Sequence, residues 1–150
     1  MVMKDRAVEA WRILNAFVGE LIAGTRSVEL YESSGFKRGA TPNVLRECVK
    51  MSISYLFITL TKWAEFYEKY HQVIPKEVRP ACRELKKEIE RRGIVRFRNH
   101  VIGHIWSKKH KRPLGKEEVE QSLRQVLGDD ENAFFLWVNN PSVLVKREMD

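Results

Sequence analysis

The run Arg96-Phe97-Arg98-Asn99-His100-Val101-Ile102-Gly103-His104 places arginine, carboxamide and imidazole side chains close together in the chain. These types suit one chemistry, displacement at a phosphodiester by a neighbouring hydroxyl. That reaction needs a group that moves protons near neutral pH, and histidine serves because its pKa lies near 6.5. It also needs a fixed cation for the charge gathering on phosphorus. Arginine serves because its fork stays charged and matches phosphate oxygens. A polar neighbour such as Asn99 orients the imidazole or the phosphate. On one ideal α-helix Arg98 and His104 stand about 120° apart, whereas His100 and His104 are only about 40° apart. Arg98 and His104 meet if Gly103 loosens the helix, if Arg98 reaches around it, or if two chains pair across a two-fold axis and build a composite cleft.

The surroundings of this run carry the charge of the protein. The chain has 27 Lys and Arg against 20 Asp and Glu, a net of +7. Between Arg91 and Lys116 there are nine basic residues and no acidic one, which leaves 18 basic against 20 acidic residues elsewhere. His100, His104 and His110 fall in the same stretch. Such a segment attracts a polyanion by its field and by counterion release. Arg96, Lys108, Lys109, Lys111 and Arg112 are the expected RNA-binding residues. A solvated basic face with no ligand is the plainer alternative.

Length and composition bound the frame that must hold these residues. At 150 residues the expectation is a single domain over 1–150 with one core. Fifteen aromatics and 43% hydrophobic residues exclude a chain disordered throughout. Apolar runs are only a few residues long, too short to span a bilayer. The first residues lack the apolar core of a signal peptide, so a cytoplasmic location is expected. Cys48 and Cys82 are too few for a zinc quartet or a disulfide framework and are expected as reduced core thiols.

Periodicity predicts helices and no sheet. Ala7, Trp11, Leu14, Val18, Leu21, Thr25 and Val28 mark one face of a helix over about 4–33. Thr41-Pro42 reads as an N-cap with proline in the first turn. A second helix over about 42–71 carries Val49, Ser52, Leu56, Thr59, Trp63, Phe66 and Tyr70. A third runs over about 76–92, with Pro80 placing its start nearer Arg79 and Gly93 stopping or bending it. The pattern resumes over about 94–106 with Phe97, Val101 and Ile105 on one stripe. A basic loop over 107–115 leads to a short helix over 116–127, which Gly128 ends. Asp129 or Asp130 caps a last segment, 133–138, apolar all round and so buried or covering a partner. Residues 143–145 read as a strand-like tail or a final turn. Trp11, Trp63 and Trp106 lie on apolar stripes and are expected in the core. Two long helices with short links make an antiparallel bundle.

The run from Arg98 to His104 resembles the signature of HEPN domains: an arginine, a polar residue and, a few positions on, a histidine. It is most similar to the R-N/D-K-x-I-A-H form of the AbiU-like abortive-infection branch, with Gly103 in place of the alanine and His100 in place of the lysine. The Pro113-Leu114 loop and the Glu-rich segment 116–127 are also similar to that branch. The likeness covers 94–127 closely and the two long helices loosely. It implies an antiparallel all-α bundle of the HEPN type acting as a metal-independent endoribonuclease, a toxin or phage-defence effector. It implies Arg98 and His104 as the catalytic pair, Asn99 as the polar residue beside the arginine, and Glu65 as the acidic residue that other members add from an earlier helix. No cofactor is implied. The expected partners are RNA, a second copy of the chain, and an antitoxin or regulatory protein.

Competing patterns are weaker. His100 and His104 lack the glutamate of a zinc-protease helix. Glu68-x-x-His71 is half of a di-iron motif and is expected by chance. No nucleotide-binding, nucleophile-elbow or EF-hand motif occurs. Two alternatives to the nuclease stand: a non-catalytic bundle that binds nucleic acid or a protein partner, and a scaffold that keeps Arg98 and His104 in its core.

Overall fold

The computed structural model describes residues 3–33, 41–103, 106–107 and 111–139. Its elements are α1 (Met3–Glu32), α2 (Pro42–Tyr70), α3 (Arg79–Arg91), α4 (Ile94–Phe97), a π-helical turn (Arg98–Ile102), β1 (Trp106–Ser107), β2 (Arg112–Pro113), α5 (Lys116–Leu127) and α6 (Glu131–Asn139). The expectation of an all-α chain holds. The one exception among the described residues is a two-residue ribbon, in which Trp106 lies opposite Pro113 and Ser107 opposite Arg112, antiparallel. No described helix is long and apolar enough to cross a membrane. The chain divides into two compact units, Met1–Thr59 and Leu60–Asp150, and the division falls within α2.

In the first unit α1 and α2 run antiparallel. Glu20 Oε2 accepts a 2.8 Å hydrogen bond from Thr59 Oγ1, while Gly24 lies against Leu56, so the two contacts follow opposite chain directions. Gly24 permits the approach, because a Cβ there would sit 2.5 Å from Leu56 Cδ2. Thr41 caps α2 as expected, its Oγ1 accepting from the Val44 amide at 3.4 Å. The inward stripe of α1 is Ala10, Phe17, Gly24, Thr25 and Val28. This corrects the sequence expectation for its first half, since Trp11 and Val18 face solvent. Trp11 is therefore not a core residue, although it sits on an apolar stripe.

In the second unit the core gathers Leu60, Trp63, Phe66, Ile74, Ile89, Ile94, Phe97, Val126, Leu127, Phe134 and Trp137. Trp63 is in the core, as expected; the side chain of Trp106 lies outside what is described. Helix α3 begins at Arg79 with Pro80 in its first turn, where a missing N–H removes nothing. Arg79 ties the preceding break to the helix, donating from Nε to Ile74 O and from Nη2 to Gln72 O, both at 2.7 Å. Gly93 stops α3 rather than bending it. Its φ of +70° is left-handed, a conformation that costs any residue with a Cβ about 1 kcal/mol or more. Asp130 caps α6, accepting at Oδ1 from the Asn132 amide at 2.9 Å. Helix α6 buries Phe134 and Trp137 but leaves Leu136 exposed, so it is not covered all round. The expected tail at 143–145 lies outside the described residues.

Candidate nucleic-acid interface

The segment carrying Arg98 is held by two apolar anchors. Ile94 and Phe97 are buried, and α4 packs against α3 and α5. The same short stretch leaves Arg96, Asn99 and His100 exposed and Arg98 half-buried. The sequence predicts one helix from 94 to about 106. The structure instead widens at Arg98 into a π-turn, closed by the Gly103 amide donating to Arg98 O at 2.8 Å. Glycine suits that closure, because a Cβ at position 103 would lie 3.3 Å from both Arg98 O and Asn99 O. The next described residues, Trp106 and Ser107, belong to the ribbon, and the π-turn already departs from the one continuous α-helix for which the separation was reckoned.

Within the turn, Arg98 Nη1 donates to Asn99 Oδ1 at 2.8 Å. The carboxamide thus fixes one prong of the guanidinium, and the other N–H groups make no further bond among the described residues. Glu65 is exposed on α2 and pairs with neither Arg98 nor Asn99. His104 lies outside the described residues, as do Lys108 and Lys109.

The basic segment divides into paired and unpaired charges. Glu88 takes both Arg91 and Arg92, at 2.6 and 2.7 Å. Lys116 Nζ lies 3.7 Å from Glu120. Arg112 donates from Nη1 to Glu118 Oε2 at 2.7 Å, which pushes the pKa of this arginine up. The same carboxylate oxygen accepts from the Gly115 amide at 2.7 Å and so caps α5. Arg96 and Lys111 are exposed and form no ion pair among the described residues. Lys111 holds φ +50° beside the ribbon, a left-handed conformation uncommon outside glycine and a mark of locally strained sites.

The other sequence patterns resolve into structural roles. Glu68 faces Lys86 at 3.2 Å, and the Nδ1 of His71 lies 3.2 Å from Glu68 O. Cys48 and Cys82 are free and half-buried, and burial pushes the Cys82 thiol pKa up. Among the described residues no group of three or more His, Cys, Asp or Glu is placed to hold a metal ion. Sequence reasoning missed Glu118 as a partner of Arg112. Its spacing, three residues after Gly115 at the start of a helix, is the signal that could have found it.

No family model matches the chain, and neither a curated protein nor a solved structure matches it. The likeness to HEPN domains therefore rests on the residues from Arg98 onward and their surroundings.

Proposed function

We propose that the chain is an endoribonuclease that cleaves RNA through the 2′-hydroxyl, with Arg98 and His104 as its catalytic pair. The observation that carries this reading is the Arg98–Asn99 bond: an arginine steered by its neighbour, on a widened turn anchored by Ile94 and Phe97. Arg96 and Lys111, without acidic partners among the described residues, supply cations for the flanking phosphates. His104 takes the proton of the 2′-hydroxyl, whose oxygen attacks phosphorus. Arg98 holds the non-bridging oxygens as charge develops on them. The 5′-oxygen then departs and takes up the proton that His104 had accepted, leaving a 2′,3′-cyclic phosphate, a 5′-hydroxyl and a neutral imidazole. Such an enzyme would act on cellular RNA as a toxin or defence effector, held in check by an antitoxin or regulatory protein.

The test is cleavage of a labelled RNA in the presence of EDTA. Turnover should survive the chelator, and 2′-deoxy substitution at the scissile position should stop it. His104→Ala should lower the rate about a hundredfold or more, the usual yield of general acid–base catalysis. Arg98→Lys should also be damaging, because an ammonium cannot grip two oxygens at once. His100→Ala should leave cleavage largely intact. RNA binding without cleavage in the wild-type chain favours the non-catalytic binding bundle instead. Loss of activity in His100→Ala but not His104→Ala would overturn the assignment of the site.

A further inference from the structure

A π-turn is rare, and where one occurs it needs a reason. Packing supplies none for Arg98–Ile102. No side chain of the turn is buried, and the anchors Ile94 and Phe97 both precede it. Val101 and Ile102 are only half-buried. Backbone conformation supplies none either, because Gly103, which closes the turn, has φ −83° and ψ −21°, values open to any residue. What glycine provides there is room, since a Cβ would crowd Arg98 O and Asn99 O at 3.3 Å. A bare backbone thus keeps the turn wide where the fold gains no burial from it. A local rule broken without a packing gain is expected at working sites.

The bond between Arg98 and Asn99 is the second observation. On an α-helix successive side chains stand about 100° apart, and neighbours at i and i+1 do not face each other. Arg98 Nη1 nevertheless reaches Asn99 Oδ1 at 2.8 Å. Widening reconciles the two. Spreading one turn over an extra residue narrows the angle from each side chain to the next, which swings the carboxamide toward the guanidinium. The Asn99 side chain is short, so the backbone must bring it there. The Gly103 amide donates to Arg98 O, five residues back. With one residue fewer between them, the same bond is the ordinary α-helical one. Of the four residues between, only Asn99 and His100 are exposed, and Asn99 is held by Arg98. His100 is therefore the residue whose side chain the turn uses least.

We propose that the π-turn is a positioning device for Arg98, in which the residue added at His100 is a spacer and Asn99 is brought round to pin the guanidinium for a phosphate. One N–H of the fork is committed to the carboxamide, and the others are held at a set angle before the substrate arrives. A cation fixed in advance costs no reorganisation when charge develops on phosphorus. The role given to the guanidinium rests on the nuclease reading; its placement does not. Position 100 then contributes length and not chemistry: its imidazole is dispensable, whereas its share of backbone is not.

Deletion of His100 from the full chain, set against His100→Ala, tests this with two readouts. The first needs no RNA: the guanidinium N–H signals of Arg98 in the nuclear magnetic resonance spectrum, assigned by their loss in Arg98→Lys. A pinned guanidinium rotates slowly and gives resolved signals. These should be present in the wild type and in His100→Ala, and lost in the deletion and in Asn99→Ala. The second is kcat against KM for RNA cleavage. The deletion should lower kcat about a hundredfold, the cost of misplacing a reacting group by about 1 Å. Asn99→Ala should lower kcat with KM little changed, and should have no further effect in the deleted chain, because the contact it removes is already broken. Gly103→Val crowds the two carbonyls without shortening the chain. It should match the deletion in both readouts, and it serves if circular dichroism shows the deleted chain unfolded. Resolved signals in a wild-type chain that does not cleave RNA would overturn the nuclease reading and leave the device standing. Unresolved Arg98 signals in the wild type, signals that survive both the deletion and Gly103→Val, or an Asn99→Ala loss undiminished in the deleted chain would each overturn the proposal.

Discussion

Arg92 belongs by sequence to the basic segment, yet its charge is spent inside the fold. Nε donates to Glu88 Oε1 at 2.7 Å and Nη1 to Val126 O at 3.0 Å. The guanidinium also stands over the Trp137 ring, 4.8 Å from its centroid, and the side chain is only 15% exposed. Val126 and Leu127 end α5, where carbonyls lack partners within the helix and a cation is favoured. One side chain thus joins α3, α5 and α6. Arg92→Lys keeps the charge but loses the fork, and should lower stability by about 2 kcal/mol, read as a reduced urea midpoint at unchanged slope. Its partner Glu88 adds a pH dependence. Burial pushes the Glu88 carboxyl up, but Arg91 and Arg92 outweigh this and hold its pKa below the ordinary 4.5. A carboxyl depressed on folding contributes stability above its unfolded pKa and loses it as the pH falls through the folded one. The urea midpoint should therefore decline below about pH 4.5, and Glu88→Gln should remove that part of the decline.

At the scale of elements, α1 shows where sequence periodicity succeeds and where it misleads. Gly24→Ala should destabilise the α1–α2 pair by about 1–3 kcal/mol, because the new methyl must displace Leu56 in a packed contact. Circular dichroism during thermal unfolding checks this, and an unchanged melting temperature would mean that the two helices part locally at no cost. The extent of α1 was legible, since apolar residues recur along its whole length at helical spacing. Its orientation was not. Two stripes share the same period, and the larger side chains, Trp11 and Val18, lie on the one the fold leaves exposed. On α2 the expected stripe is the buried one: Ser52, Leu56, Thr59, Trp63 and Phe66 are buried, while Val44, Met51 and Tyr55 lie exposed on another face. The start of α3 at Arg79 and the stop at Gly93 were readable from Pro80 and from glycine's left-handed freedom. The π-turn was not, because one residue more per turn leaves no mark in a hydrophobic pattern reckoned at the α-helical angle. Gly103 hinted at a looser helix, but its reason is the 3.3 Å approach of two carbonyls five and four residues earlier.

For the whole molecule, the consequence is that a net charge of +7 overstates what a polyanion would meet. Arg91, Arg92, Arg112 and Lys116 each have an acidic partner supplied by a neighbouring turn of helix. Sequence alone conceals this, because Glu88, Glu118 and Glu120 lie outside the acid-free stretch or at its edge. If RNA is the ligand, its affinity should fall with salt according to the cations that remain open to phosphate, not the nine counted along the chain. Arg112 offers the most direct test, because the single carboxylate that holds it is known. Glu118→Gln removes the opposing charge while its amide oxygen still accepts from the Gly115 amide, so the start of α5 should be kept. The freed guanidinium then competes for phosphate. RNA affinity should rise, and the slope of log affinity against log salt should steepen by about 0.7, the increment of one added contact on a single strand. Filter binding or fluorescence anisotropy across a salt series measures both. An unchanged slope with α5 intact would place Arg112 off the path of the RNA and leave Arg96, Arg98 and Lys111 as the described cations of the segment that meet it.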